Sequence, residues 1–156
     1  MTFDEAFERL IGHEGGYVND PRDPGGETRY GVSKRAYPGE DIRNLTLERA
    51  KAIYLRDYWG PAGCDAVPRP VEFDLFDMAV NAGVKAAIRT LQAACDETVD
   101  GVLGPRTLQA AQSMDPYRLL ARFDGIRLDL LNDNPQLWAS FGRGWAQRIA
   151  ENLKAV

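Results

Sequence analysis

Residues 71–82 constrain this chain most. Phe73, Leu75, Phe76, Met78 and Val80 spread around every side of a helix drawn through them, so little polar face remains. A helix apolar on all sides must be surrounded by other elements rather than lie on a surface. The 156-residue chain, 44% hydrophobic, can supply that surround as one domain or as two tightly packed subdomains. Most of what surrounds it also reads as helix. Thr2-Phe3-Asp4-Glu5 is a capping box. After it, Phe3, Ala6, Phe7, Leu10 and Ile11 recur at helical spacing, with a stop expected at Gly15-Gly16, just after Glu14. Thr46 caps a helix reaching about Trp59, with Leu47, Ala50, Ile53 and Tyr54 on one face. A break at 61–70 follows, then the central helix ending at Gly83, then a helix over 85–95. Gly104-Pro105, Asp115-Pro116 and Asn134-Pro135 each carry a helix-start signal, the latter two opening helices over about 117–132 and 136–153. The expectation is a mainly α fold of about seven helices. Strand character is limited to Tyr17-Val18 and residues 28–32, which flank a turn-rich segment and form at most a small β-hairpin after the first helix.

Charge and composition narrow the function. A net charge of −4 gives no support to a nucleic-acid partner. No stretch approaches the roughly 20 apolar residues of a membrane span, so membrane insertion is not expected. Residues 1–10 are acidic and mixed rather than a basic stretch followed by an apolar run, so no secretory signal is expected. Cys64, Cys95 and the single His13 do not have metal-site spacing, so neither a metal nor a cofactor is expected. Without an export signal, the two cysteines read as free buried thiols. No G-x-S-x-G motif accompanies His13, which argues against a serine or cysteine nucleophile.

The segment His13-Glu14-Gly15-Gly16-Tyr17 and its continuation through Asp23, Thr28 and Gly31 carries the chemistry. A Glu in the last turn of a helix faces the negative end of the helix dipole. Nearby aromatics such as Tyr17 would add desolvation, and both effects favour a protonated acid near neutral pH. Asp23 sits in a Pro/Gly turn where solvation keeps a carboxylate ionised. Two carboxyl groups in contrasting environments are the arrangement of glycoside hydrolysis. The Thr28 hydroxyl can orient water or a carboxylate. Residue types and spacing leave a second reading open, because a Glu at a helix end is commonly a solvated surface residue and Asp and Gly in loops are commonly turn formers.

The run Glu14-Gly15-Gly16-Tyr17-Val18-Asn19-Asp20-Pro21-Arg22-Asp23-Pro24-Gly25-Gly26-Glu27-Thr28-Arg29-Tyr30-Gly31-Val32 resembles the signature of glycoside hydrolase family 108. That family includes phage endolysins and secretion-linked bacterial muramidases. The resemblance implies a lysozyme-like helical fold, with Glu14 as the catalytic glutamate and Asp23 and Thr28 as its signature partners. Asp20, in the same turn, competes with Asp23 as the second carboxylate. Tyr58-Trp59 and the stretch from Phe76 to Gly83 also look like family positions. Tyr17, Tyr30, Trp59 and Asn81 are therefore candidate substrate-binding residues, although core packing stays open for Trp59 and a structural role is favoured for Asp77. Leu91-Gln92 and the segment from Asp100 to Leu108 resemble the predicted peptidoglycan-binding region that follows in this family. The Asp-Gly-x-x-Gly-Pro-x-Thr-Leu pattern there specifies local structure more strongly than ligand contact. The last helices carry Trp138, Phe141 and Trp145, read as a core stripe with a solvated face.

The resemblance implies an N-acetylmuramidase, a monomeric peptidoglycan hydrolase cleaving the β-1,4 bond between N-acetylmuramic acid and N-acetylglucosamine. A catalytic part is expected over residues 1–70 and a helical part over 71–156, packed as one unit. Two alternatives stand beside it: a lytic transglycosylase, and a non-catalytic peptidoglycan-binding or secretion-accessory protein. With no export signal expected, synthesis in the bacterial cytoplasm and action on periplasmic peptidoglycan after holin-type or other release are also expected.

Overall fold

The computed structural model describes residues 1–12, 16–19 and 25–156, except for the side chains of Leu137 and Phe141. It divides into two compact units, Met1–Asp57 and Tyr58–Val156. The division falls earlier in the chain than the 70/71 boundary read from the sequence.

The first unit opens with α1, Phe3–Ile11. Its capping box forms as expected. The Thr2 hydroxyl accepts from the Glu5 N–H, and the Glu5 carboxylate accepts from the Thr2 N–H at 2.7 Å. Ala6 and Phe7 face the core. The helix stops sooner than the sequence suggested, at Gly12 rather than at Gly15-Gly16. Gly12 sits at φ 58°, a left-handed value that glycine adopts at little cost. Glu14, which the sequence reading placed in the last turn, lies outside the described residues. After α1 comes a two-stranded antiparallel hairpin, β1 (Thr28–Arg29) and β2 (Val32–Ser33). Then comes α2, Leu47–Tyr54, whose N-terminus is capped by the Thr46 hydroxyl accepting from Arg49 N–H at 3.1 Å. Phe7 of α1 meets Tyr54 of α2 edge to face, with ring centroids 5.2 Å apart. Lys51 bridges to Asp4 at 2.7 Å across the same pair of helices.

A π-helical turn, Leu55–Trp59, continues α2 across the division and leads into α3, Gly60–Ala62. In the second unit, α4 is Arg69–Ala82, α5 Val84–Ala94, α6 Pro105–Ser113 and α7 Pro116–Asn132. The last run is α8, Pro135–Leu137, a π-helical turn, Trp138–Gly142, and α9, Arg143–Lys154. Counted as unbroken runs of α- and π-helix among the described residues, the total is the expected seven, with one further 3₁₀ turn, Cys64–Ala66, between α3 and α4. The helix starts at Pro105, Pro116 and Pro135 fall where their X-Pro signals placed them. Trp138 departs from the expected core stripe, being about half exposed.

Helix α4 is the central helix the sequence called for. Every residue from Val71 to Ala79 is buried, and α4 packs on α5 and α7. The buried face carries charge as well as hydrocarbon. Arg127 of α7 donates to Asp77 at 2.8 Å, to Asp124 at 3.1 Å and to Asp74 at 3.2 Å. Arg148 of α9 donates to the other oxygen of Asp77, and Asn152 donates to Asp74 at 2.7 Å. Three buried carboxylates thus face two guanidinium groups. The imbalance falls on Asp124, whose Oδ2 is buried with no hydrogen-bond partner among the described residues. Burial and the neighbouring Asp74 charge push its carboxyl up to about 7, against the pull of Arg127. Both cysteines are free and buried, as read from the sequence, and burial raises both thiols, Cys95 to about 11.

The Asp124 shift sets a sign. An unfolded Asp titrates near ~3.9, so the folded chain holds a proton that the unfolded chain has lost. This stabilisation is complete below about pH 4 and disappears as pH rises through the folded value of about 7. Urea unfolding followed between about pH 5 and 8 is expected to show Asp124→Asn gaining on wild type as pH rises. Two stability curves that stay parallel over that range would contradict the assignment.

Candidate active site

The hairpin turns on Tyr30 and Gly31, at φ 50° and φ 74°. Two consecutive left-handed residues make a type I′ turn, the form whose twist matches that of the flanking strands. Pairing runs Thr28 to Ser33 and Arg29 to Val32. A β-bridge adds Val18 to the other side of Thr28, with Val18 N–H donating to Thr28 O at 2.9 Å and Thr28 N–H returning to Val18 O at 2.8 Å. Residues 18 and 28 are therefore fastened together at the two ends of the Asp/Pro/Gly-rich segment. The ribbon is anchored on α2, where the Tyr54 hydroxyl donates to Tyr30 O at 3.2 Å.

Alternation along the ribbon separates two faces. Tyr17, Glu27 and Arg29 fall on one, and Val18 and Thr28 on the other. On the first face, the Tyr17 hydroxyl donates to Glu27 Oε1 at 2.7 Å. The Arg43 guanidinium lies 5.6 Å from the Tyr17 ring centroid, and the Arg43 carbonyl accepts from Arg29 Nη1 at 2.6 Å. Arg29 also lies over the Tyr30 ring, at 5.4 Å. On the second face, among the described residues, the Thr28 hydroxyl donates to Gly26 O at 3.4 Å. The structure therefore brings Tyr17, Thr28 and Tyr30 together on one ribbon but presents Tyr17 and Thr28 to opposite sides. Glu14, Asp23 and the competing Asp20 lie outside the described residues.

Sequence reading passed over Glu27 and Arg43. Glu27 had no signal of its own, because its place on the Tyr17 face follows from the pairing of residues 18 and 28. Arg43 had none, since it reaches Tyr17 from a loop beyond the hairpin.

The other two candidates belong to the second unit. Trp59 is fully buried and meets Phe76 edge to face at 5.3 Å. Its ring is part of the core and cannot stack on a sugar, which corrects the binding role considered for it. Asn81 lies exposed at the end of α4 and donates from Nδ2 to Asp77 O at 2.7 Å and Asp77 Oδ1 at 3.2 Å. In the peptidoglycan-binding-like segment, the Asp-Gly-x-x-Gly-Pro pattern serves local structure, as expected. The buried Gln92 amide donates to Asp100 at 2.7 Å, Val102 O at 3.0 Å and Thr107 at 3.3 Å, and its oxygen accepts from Gly101 N–H at 2.8 Å. Among the described residues, no group of three His, Cys, Asp or Glu is placed to hold a metal ion. No described helix is long and apolar enough to cross a membrane.

Comparison with known proteins gives a family match and matches to solved structures. The sequence pattern of the family described as Glycosyl hydrolase 108 fits residues 7–83. The chain is also similar to a solved structure of SagA from Brucella abortus, with 30% identity and a TM-score of 0.85, covering 98% of this chain and 92% of that one. No curated protein matches the sequence.

A Cβ at Gly31 would run into the Tyr54 hydroxyl and would also require a left-handed backbone. Gly31→Ala is expected to destabilise the chain by on the order of 1–3 kcal/mol in urea unfolding. The loss should be smaller in a Tyr54→Phe background, where the hydroxyl is gone. An equal loss in both backgrounds would show that the contact does not matter.

Proposed function

Because this chain belongs to the Glycosyl hydrolase 108 family, we propose that it is an N-acetylmuramidase, cleaving the β-1,4 bond between N-acetylmuramic acid and N-acetylglucosamine, with Glu14 as general acid. The coarser statement stands on family membership: this is a glycoside hydrolase of lysozyme-like helical fold, and its substrate is peptidoglycan. One observation carries the finer reading. The matched stretch, residues 7–83, contains the whole run from Glu14 to Val32. Much of the described part of that run is held as a ribbon, closed by the 18–28 bridge and anchored on Tyr54.

In this reading Glu14 protonates the leaving glycosidic oxygen. Asp23 stays ionised and stabilises the oxocarbenium-like transition state or activates water. Thr28 orients that carboxylate or water through its hydroxyl. We assign this chemistry to the part spanning residues 1–70. The placement of Thr28 on the face opposite the Tyr17–Glu27 pair fits a division of labour, with Thr28 toward the chemistry and Tyr17 and Glu27 bracing the ribbon. Carboxyl separations of roughly 5–5.5 Å would give retention of configuration, and roughly 6.5–9.5 Å inversion. Action on the wall follows synthesis in the cytoplasm and release across the inner membrane.

Clearing of outer-membrane-permeabilised Gram-negative cells, followed as loss of turbidity, tests the reading. Wild type is expected to clear them. Glu14→Gln, which keeps the shape and removes the acid, should slow clearing by roughly 10²-fold or more. Comparable clearing by the two would remove Glu14 from its role, and no clearing by wild type would favour a binding protein.

A further inference from the structure

Arg43 lies outside the family-like run, which ends at Val32, yet it meets the ribbon twice. Its own backbone is set firmly. Ile42 and Leu45 on either side are buried in the core of the first unit, and the Leu45 N–H donates to Ile42 O at 3.3 Å. Asp41 tightens the same turn by accepting from Asn44 N–H at 3.2 Å and from Asn44 Nδ2 at 2.9 Å. Arg43 is exposed, but the turn that carries it is fixed at both ends.

Four side chains then close a ring. Arg29 Nη1 donates to the Arg43 carbonyl at 2.6 Å, which ties β1 to the loop. The Arg43 guanidinium lies 5.6 Å from the Tyr17 ring centroid. Its pKa is raised, first by its hydrogen bond to Tyr17, with Glu27 adding to the effect. The Tyr17 hydroxyl donates in turn to Glu27 Oε1 at 2.7 Å, two residues before Arg29 on the same ribbon. The Tyr17 oxygen thus accepts from a cation and donates to a carboxylate, and each bond strengthens the other. A phenol engaged at both ends is braced, and its proton is not left over for a sugar.

Tyr17 matters for its place in the chain. Helix α1 ends at Ile11. Among the described residues, Tyr17 is the first after it whose side chain is fixed to another element. Glu14 falls between those two points in the sequence. We propose that Arg43 is a positioning residue for catalysis: by holding Tyr17 against Glu27 it fixes the exit of the segment that carries Glu14, and so the placement of the general acid. The proposal rests on the reading of Glu14 as that acid and extends its support to a residue on a separate loop.

The test is a carbon NMR titration of the Glu14 carboxyl in the full chain, assigned with Glu14→Gln, beside the rate of cell clearing against pH. In wild type, Glu14 is expected to titrate above the ordinary value of about 4.3. Tyr17→Phe keeps the ring and changes no charge, and Arg43→Ala alters an exposed side chain, so both should keep wild-type spectral dispersion. In each, the Glu14 value should fall by about 1 pH unit, because a carboxyl no longer held in place is better solvated. For Arg43→Ala the sign is diagnostic, since losing a nearby positive charge would by itself raise the value. Clearing should slow by roughly 10- to 100-fold in each, with the alkaline limb of its pH profile moving down with Glu14. The double variant should lose no more than the worse single one, because both break the same chain of contacts. The proposal is overturned by an unchanged Glu14 titration in either variant, by a rise in Arg43→Ala, or by additive losses. Any of these in a protein that clears cells, and whose Glu14→Gln variant does not, sinks this proposal and leaves the hydrolase reading standing. Wild type that clears nothing sinks the hydrolase reading, and the titration still decides whether Arg43 places Glu14.

Discussion

One guanidinium organises the second unit. Arg127 reaches Asp74 and Asp77 on α4 and Asp124 on its own helix, and through them Arg148 and Asn152 of α9 are drawn to the same place. Taking such a group out of water costs several kcal/mol, and only a full set of partners offsets that cost. The arrangement therefore works as a constraint on register more than as a source of stability. If α4 rotated or slid by a turn, Asp74 and Asp77 would leave their arginines and be buried without counter-charge, and Arg127 would keep only Asp124 of its own helix. A helix apolar on all sides can pack in many rotations with similar energy, and these buried carboxylates select one of them. The same constraint reaches the surface, because Asp77 also holds the Asn81 amide and so fixes which atom faces solvent at the end of α4.

The first unit is organised by geometry rather than charge. Its hairpin is too short to be stable alone, since an isolated two-stranded ribbon is marginal in water. It is held by a turn with two left-handed residues, by the 18–28 bridge and by the hydroxyl of Tyr54, whose ring is packed against Phe7. A short, pinned ribbon suits a glycosidase, in which a displacement of about 1 Å can cost a factor of roughly 10² in rate.

Periodicity and punctuation made the helices legible. The capping box at Thr2, the Thr46 cap and the X-Pro starts each rest on local backbone chemistry, so they could be read without tertiary information. The buried character of α4 was legible because no polar face was available to it. The end of α1 was misplaced because two glycine signals competed, and the nearer one, Gly12, took the left-handed position. Trp59 could not be assigned, because an aromatic beside a chain break is equally suited to a core or to a sugar, and its burial depends on Phe76, distant in sequence. Arg43 and the Asp124 imbalance were invisible for the same reason: both arise from partners that only the fold brings together. For the candidate site, the family-like run located the ribbon, while the separation of Tyr17 and Thr28 onto opposite faces needed the strand pairing.

The account centres on hydrolysis: a protonated Glu14, an ionised partner and a water molecule that ends up in the product. Mass spectrometry of purified sacculi digested in heavy-oxygen water measures that outcome directly. The account predicts reducing-end N-acetylmuramic acid that has taken up the heavy oxygen. Anhydro-muramyl ends without the label would contradict it and make the chain a lytic transglycosylase.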